Sequence, residues 1–390
     1  MHIVSSRDGW CRRWTTLLKS LLLHSLIAMR LCLLSSRTMT WWPRSLSSTE
    51  SLYRSFRVES RHSIHVTRHL SSNTVSSEEV AKFSAMNETW WDPNHNPLLS
   101  LNAVRVPYIT SMVQEHLRPR LSQSQSNTDR ASTSSAQRQR QRQRRTLPLD
   151  GLRILDIGCG GGLLCESLIR LGGRHVVGID PSHQLIASAK NHAAQQQLFS
   201  SSSFDHQTLD YIGNMTIEEY AEQQDQQYQH KATTDDEDDN NDDESHYFDM
   251  ICCLEVIEHV PNMESLLRAA LSLLHPRHGL LVISTMSPTV KSALLTILGA
   301  EYIFGYVPIG THNWHQYQSP KQVYDTLQQV SSSSLSLSIE QVNVSGMVLT
   351  RPPLFGNWQW TLDETDTDVN WIGTYRFATP PTTTTTTTTD

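Results

Sequence analysis

Leu152-Arg153-Ile154-Leu155-Asp156-Ile157-Gly158-Cys159-Gly160-Gly161-Gly162-Leu163 is the stretch on which the fold turns. Its first half, Leu152 to Ile157, is a short apolar run that ends at glycines, which reads as a buried strand. Its second half lets the backbone turn tightly and approach a ligand that a Cβ would hold off. A helix from Gly162 to Leu171 follows, then a strand from His175 to Ile179 and a helix from Leu185 to Gln196. A third strand is expected near Phe204–Asp210 and a fourth at Phe248–Leu254. A helix from Met263 to Leu274 and a fifth strand from Gly279 to Ser284 come next. Strands alternating with helices pair in parallel through right-handed crossovers, with helices on both faces. The expected fold is α/β, a doubly wound, mostly parallel sheet. Its ligand belongs beyond the carboxyl ends of the strands, where strand order reverses.

Two details separate this glycine loop from a dinucleotide site. The G-x-G-x-x-G fingerprint needs a glycine three residues after Gly160, where this chain has Leu163. Asp156 stands two residues before Gly158, giving D-x-G-x-G-x-G, an arrangement that resembles the Rossmann-like class I S-adenosylmethionine-dependent methyltransferases. Asp180 ends the second strand, where a carboxylate can accept both hydroxyls of a ribose. The competing reading of Asp180 is a helix N-cap before Pro181. The donor's sulfonium and ammonium suit an acid-bearing pocket, and no Walker lysine is present. Asp156, Gly158, Gly160 and Asp180 are therefore the candidate cofactor contacts.

The fourth strand runs into Leu254-Glu255-Val256-Ile257-Glu258-His259. On a helical turn Glu255, Glu258 and His259 fall at i, i+3 and i+4 and can share a face. They could hold a divalent cation against a catechol-like acceptor, lowering the phenol pKa. His259 or a carboxylate could instead serve as general base, or the turn could merely close the pocket. Spacing alone leaves all three open.

The 390 residues carry a formal net charge of -7. Much of that is local, since Asp235 to Glu244 is nearly all acid, and no folded basic face suggests nucleic acid. Cys11, Cys32, Cys159, Cys165, Cys252 and Cys253 form no C-x-x-C pair and show no zinc spacing. Residues 1–70 hold eleven Lys or Arg against Asp8, Glu50 and Glu59, and they are Ser-rich. That is the composition of a mitochondrial transit peptide, with a secretory signal on Leu21–Ala28 as the rival. Lys19, His24 and Arg30 break the run Leu17–Leu34, so it is not a membrane span. Residues 71–120 read as a helical segment with Trp90 and Trp91 before a Pro-rich turn. Residues 121–147 read as a low-complexity Gln/Arg insertion, and 148–378 as the core. An acidic disordered insertion is expected at about 223–245, and a disordered Thr-rich tail at 379–390.

Several segments outside the cofactor core point further. Glu79-Val80-Ala81-Lys82-Phe83, Trp90-Trp91-Asp92, Pro97-Leu98 and Leu101 to Ile109 resemble the N-terminal signature of the ubiquinone-biosynthesis O-methyltransferases. Gly299 to Ile303 and Val307 to His312 are similar to that family's substrate-side segment, and Asp368 to Ile372 to its closing strand. The likeness covers roughly Ser77–Phe377 apart from the insertions. Pro276-Arg277-His278-Gly279 departs from the Gly pair usual there, and position 254 is Leu.

The resemblance implies a seven-stranded sheet and donor contacts at Arg105, Gly158, Asp180 and Leu254. Arg105 would clamp the donor's carboxylate. It favours Mg²⁺ held by Glu255, Glu258 and His259. It further implies methylation of a polyprenyl-dihydroxybenzoate and of a demethylubiquinol, by a peripheral enzyme on the matrix side of the mitochondrial inner membrane, within a multisubunit assembly. The apolar run Ala293–Leu298, with Tyr302 and Ile303, is too short to span and could lie at an interface or pack into a core. The rival functions are a class I methyltransferase of a soluble metabolite and a non-catalytic subunit of the same assembly.

Overall fold

Apolar runs bounded by turn residues become strands β1 (Arg153–Ile157), β2 (His175–Asp180), β3 (Thr208–Gly213), β4 (Met250–Leu254) and β5 (Leu280–Met286). The structure is a computed structural model that describes residues 75–93, 96–122, 147–198, 207–234, 246–303, 310–351 and 358–378. All of these fall within the unit Thr67–Asp390. The transit-peptide reading, the Gln/Arg insertion from residue 123 to 146, the acidic run 235–245 and the Thr-rich tail lie outside the described residues.

β1 to β5 pair in parallel, in the order β3-β2-β1-β4-β5. The chain leaves β1 toward β2 and β3, then returns to build β4 on the other side. The loops after β1 and β4 therefore diverge and open a crevice between them. Three antiparallel strands complete the sheet: β6 (Ile339–Arg351), β7 (Gln359–Asp363) and β8 (Asn370–Phe377), in the order β5-β8-β6-β7. The sheet thus has eight strands where seven were expected. The extra one arises because β6 is long: Ile339–Met347 pairs with β8, and Gly346–Arg351 pairs with β7.

Seven α-helices of eight residues or more flank the sheet among the described residues: α1 (Ser77–Ser84), α2 (Leu98–Met112), α3 (Leu163–Arg170), α4 (His183–Gln195), α5 (Ile217–Thr234), α6 (Met263–Leu273) and α7 (Pro320–Ser334). Side chains alternate across a strand, and β4 shows both faces buried. Met250, Cys252 and Leu254 join Leu101, Val104, Ile109, Leu168 and Ile186 on one side. Ile251 and Cys253 join Tyr220, Leu267, Ala270, Val323 and Leu327 on the other. Both faces are covered, as parallel sheets require.

Two expectations need correction. The third strand runs Thr208–Gly213 and so extends past the expected end at Asp210. The stretch Gln223–Thr234, expected to be disordered, continues helix α5. Polar composition concealed a helix with a strong start. Thr216 and Glu219 cap each other reciprocally, at 3.1 and 2.9 Å. Ile217, Tyr220 and Ala221 bury its first turns. α1 and α2 are separated by the short turn Asn87–Thr89 and the tryptophan pair.

Candidate active site

The glycine loop is held to the end of β2. Backbone N–H groups of Gly158 and Cys159 donate to Ile179 O at 2.9 and 3.1 Å. Asp180 bridges outward, its Oδ2 accepting from Gly160 N at 2.9 Å and its Oδ1 from Ser182 N at 2.7 Å. The N-cap of α4 is Ser182, which accepts from Leu185 N, so the capping alternative for Asp180 does not hold. Asp156 is buried under the loop and accepts from the Cys165 thiol at 3.1 Å. Burial pushes Asp156 up to about 7 and Asp180 up to about 6.

Two tryptophans cover this loop. Gly160 has φ +54°, and a Cβ there would lie 2.3 Å from the Trp90 ring. The same clash awaits a Cβ at Gly161, while one at Gly158 would meet Val256 at 2.5 Å. Trp91 Nε1 donates to Gly161 O at 3.1 Å, and its ring stacks on His192 at 3.4 Å. Trp90 Nε1 is buried without a hydrogen-bond partner among the described residues.

Across the crevice, β4 ends at Leu254, and Glu255 follows with φ +56°. That left-handed conformation is uncommon outside glycine and costs roughly 1–3 kcal/mol. Neighbours hold it: Glu255 N donates to Ser284 O at 2.9 Å, and Ser284 Oγ donates to Glu255 Oε1 at 2.7 Å. Arg105 Nη2 lies 3.1 Å from the same oxygen, with both side chains nearly buried. Nε and Nη2 of Arg105 lack an aligned hydrogen-bond acceptor among the described residues. Glu258 is 2% exposed; its Oε2 accepts from Thr285 at 2.7 Å and its Oε1 has no partner among the described residues. Burial, reinforced by the nearby Glu255 charge, pushes Glu258 up to about 7.

His259 turns elsewhere. Its Nδ1 is 2.8 Å from Glu79 Oε2, and its ring meets the edge of Phe83 at 4.9 Å. The shared face expected for Glu255, Glu258 and His259 is therefore not formed. Glu255 is still at the strand end in a left-handed conformation, and only Ile257–His259 form a turn, of 3₁₀ type. The three side chains go to Arg105, Thr285 and Glu79 respectively. No three His, Cys, Asp or Glu among the described residues come together as a metal-binding group.

Other participants carried no local signal. Ser284 and Thr285, at the end of β5, reach the two glutamates only because β5 pairs with β4. Glu301 accepts from Gly310 N and His312 N, both at 2.7 Å, and pairs with His312 Nδ1 at 2.9 Å. A depression of about 580 Å³ lined by Arg153, His175, Lys190 and Asp210 opens beside the starts of β1 and β2, away from this crevice.

Comparison with known proteins decides the family. The profile of a methyltransferase domain matches residues 115–337. The ubiquinone biosynthesis O-methyltransferase of Cereibacter sphaeroides is 33% identical over 304 residues, 77% of this chain and 96% of its own length. That of Ruegeria pomeroyi is 34% identical over 302 residues, 77% and 95% of the two chains. The chain belongs to the ubiquinone biosynthesis O-methyltransferases. It is an S-adenosylmethionine-dependent enzyme of the class I methyltransferase fold. Among solved structures, magnesium protoporphyrin IX methyltransferase from Synechocystis PCC 6803, with bound SAH, is 18% identical. It covers 69% of this chain and 88% of its own, with a TM-score of 0.36, too loose to bear on the site. The domain profile encloses Asp156, Asp180 and Glu258 of this O-methyltransferase. Glu79, Trp90 and Arg105 come from the segment before it.

Proposed function

We propose that this O-methyltransferase methylates phenolic hydroxyls of two polyprenylated acceptors, a polyprenyl-dihydroxybenzoate and a demethylubiquinol. The donor lies over the glycine loop. Backbone at Gly158 and Gly160 lets it approach, Asp180 accepts from its ribose hydroxyls, and Leu254 packs on adenine. Asp156 lies under the loop, where a cationic ligand would favour its ionised form, and Arg105 binds the donor's carboxylate through N–H groups that have no aligned acceptor among the described residues. The supporting observation is the position of His259. It ends the short turn Ile257–His259 after β4, across the crevice from the glycine loop, with Nδ1 engaged and Nε2 without a hydrogen bond among the described residues.

In the proposed reaction Nε2 of His259 takes the phenolic proton as the oxygen attacks the donor's methyl carbon. The C–O bond forms as the C–S bond breaks, and S-adenosylhomocysteine leaves. The methyl group is already activated by the sulfonium, so alignment supplies most of the acceleration. Mg²⁺ is a separate question, tested by the chemistry of the donor set. Glu258 has a free buried oxygen beside a second carboxylate, which suits a hard cation. Glu255, however, is tied to Arg105 and Ser284, and His259 to Glu79. The three do not form a Mg²⁺ site as folded, so no step here is routed through one.

The same reading extends to location. Val290, Leu294, Leu295, Leu298 and Tyr302 are exposed on and beside the π-helix Ala293–Ile303, Tyr302 to 61%. Such a patch suits peripheral attachment to a bilayer that carries a polyprenyl substrate. No helix among the described residues is long and apolar enough to cross a membrane. The cationic, Ser-rich first seventy residues support import into the mitochondrial matrix. A place on the inner membrane, within a multisubunit ubiquinone-synthesis assembly, completes the proposal.

The test is transfer from labelled S-adenosylmethionine to a short-tailed demethylubiquinol by the full chain, with Mg²⁺ or with chelator. Transfer that survives chelation and is lost in His259→Ala supports the base mechanism. Transfer that disappears with chelation and returns with Mg²⁺ would assign Glu255, Glu258 and His259 to a cation instead. Tight SAH binding without transfer to any quinol would indicate another acceptor or a non-catalytic subunit.

A further inference from the structure

We propose that His312, held by the buried carboxylate of Glu301, recognises the phenolic substrate: its Nε2 hydrogen-bonds a second ring hydroxyl, neighbouring the one that is methylated. This deepens, and rests on, the reading of the substrates as catechol-like polyprenylated phenols. Glu301 stands near the end of the π-helix Ala293–Ile303, and its side chain is only 1% exposed. Its Oε2 accepts from Gly310 N and its Oε1 from His312 N, both at 2.7 Å, and Oε1 also lies 2.9 Å from His312 Nδ1. A carboxylate at Nδ1 requires N–H there. Nε2 is then the ring nitrogen left for a ligand, and it has no hydrogen bond among the described residues. The side chain is 15% exposed, so the ring is fixed yet reachable.

The neighbours place this ring at the crevice. Lys82 Nζ donates to the carbonyls of Gly310 and Thr311 at 2.7 and 3.0 Å, pinning the chain just before His312 to α1. The short turn Trp314–Gln316, two residues on, packs against the turn Ile257–His259 that follows β4. Tyr317 meets the His312 ring edge-on at 6.4 Å and is itself held by Thr296 at 2.7 Å. A hydroxyl both donates and accepts, so it pairs with Nε2 whichever way that nitrogen is protonated. Glu301 and Glu258 lie on the same side of the crevice, where an anionic substrate group would meet like charge. A neutral hydroxyl is the group that fits. The two backbone bonds of Glu301 already tie Gly310 and His312 to the π-helix, and the bond to Nδ1 adds the orientation of the ring.

The experiment compares wild type, His312→Ala and His312→Gln as full chains. The probes are a short-tailed prenyl-dihydroxybenzoate and its analogue with the second hydroxyl replaced by hydrogen. Calorimetry in the presence of SAH reads the affinity of each, and labelled donor reads kcat and KM. His312→Ala is expected to weaken binding of the dihydroxy compound about tenfold and to raise its KM more than it lowers kcat. The analogue should bind within twofold of wild type, so the preference for the second hydroxyl disappears. His312→Gln, whose amide can still pair with a hydroxyl, should recover part of it. SAH affinity and melting temperature should not move. A preference that survives in His312→Ala would overturn the proposal, because the hydroxyl would then be bound elsewhere. Equal weakening of both compounds with a lower melting temperature would reduce His312 to a structural role. Wild type that transfers methyl but shows no preference sinks this inference and leaves the substrate reading standing. Wild type that binds SAH but neither compound overturns that reading, and this inference with it.

Discussion

Arg105 and Glu255 form a nearly buried ion pair just beyond the end of β4. Removing either partner strands a buried charge, a loss of about 3–5 kcal/mol, so neither is a neutral probe of binding. Asp180 is the better one. Held up at about 6 by burial, it is protonated below that pH and can then no longer accept from both ribose hydroxyls. SAH affinity is therefore expected to fall as pH drops through about 6, and Asp180→Asn should bind weakly with little pH dependence. A flat wild-type profile by calorimetry would remove Asp180 from the donor site. The stability of the ligand-free protein runs the other way. Asp156 and Asp180 have folded values raised above the unfolded 3.8, so the native state binds more protons between those limits. Their contribution to stability is present at low pH and declines as pH rises from about 4 to about 7.

At the scale of elements, the donor loop and the tryptophan turn form one unit. Gly160 is required twice, by its left-handed backbone and by the indole of Trp90 against it. Gly160→Ala should destabilise the fold by about 1–3 kcal/mol through overpacking and weaken SAH binding at least on the order of tenfold. A thermal melt and a titration read the two effects, and intact SAH affinity would mean the loop does not cradle the donor. The glycine loop was legible because its backbone demand is local: only certain residue types permit that turn. Trp90 and Trp91 were visible as a pair, but nothing in their neighbourhood says that one covers Gly160 and the other bonds to Gly161. Helix α5 shows the opposite failure. Its Gln-rich later turns look unstructured until Tyr220 and Ala221 are placed against the sheet.

For the whole molecule, the distribution of exposed apolar side chains bears on where the enzyme works. Leu294 and Leu298 are 53% and 48% exposed, while Thr296 between them turns inward to Tyr317 at 2.7 Å. Replacing both leucines with Ser should lower binding to lipid vesicles by on the order of tenfold, at about 25 cal/mol per Å² of apolar surface. Co-sedimentation with vesicles checks this, and an unchanged melting temperature separates it from unfolding. Equal sedimentation of variant and parent would remove the patch from the membrane.

The sequence by itself determined the alternation of strands and helices, the class of cofactor loop and the acid at the end of β2. Each follows from local rules of periodicity, backbone freedom and short-range spacing. Tertiary structure alone decided the fate of the E-x-x-E-H segment. Spacing offered one helical face, but Glu255 is turned by a left-handed backbone toward Arg105, Glu258 meets Thr285 and His259 meets Glu79. Those partners come from α2, from β5 and from α1, brought in by strand pairing and by a helix packed across the crevice. Which polar group neighbours which carboxylate is set by the closure of the chain, because charge and hydrogen bonding act through space and not along the sequence.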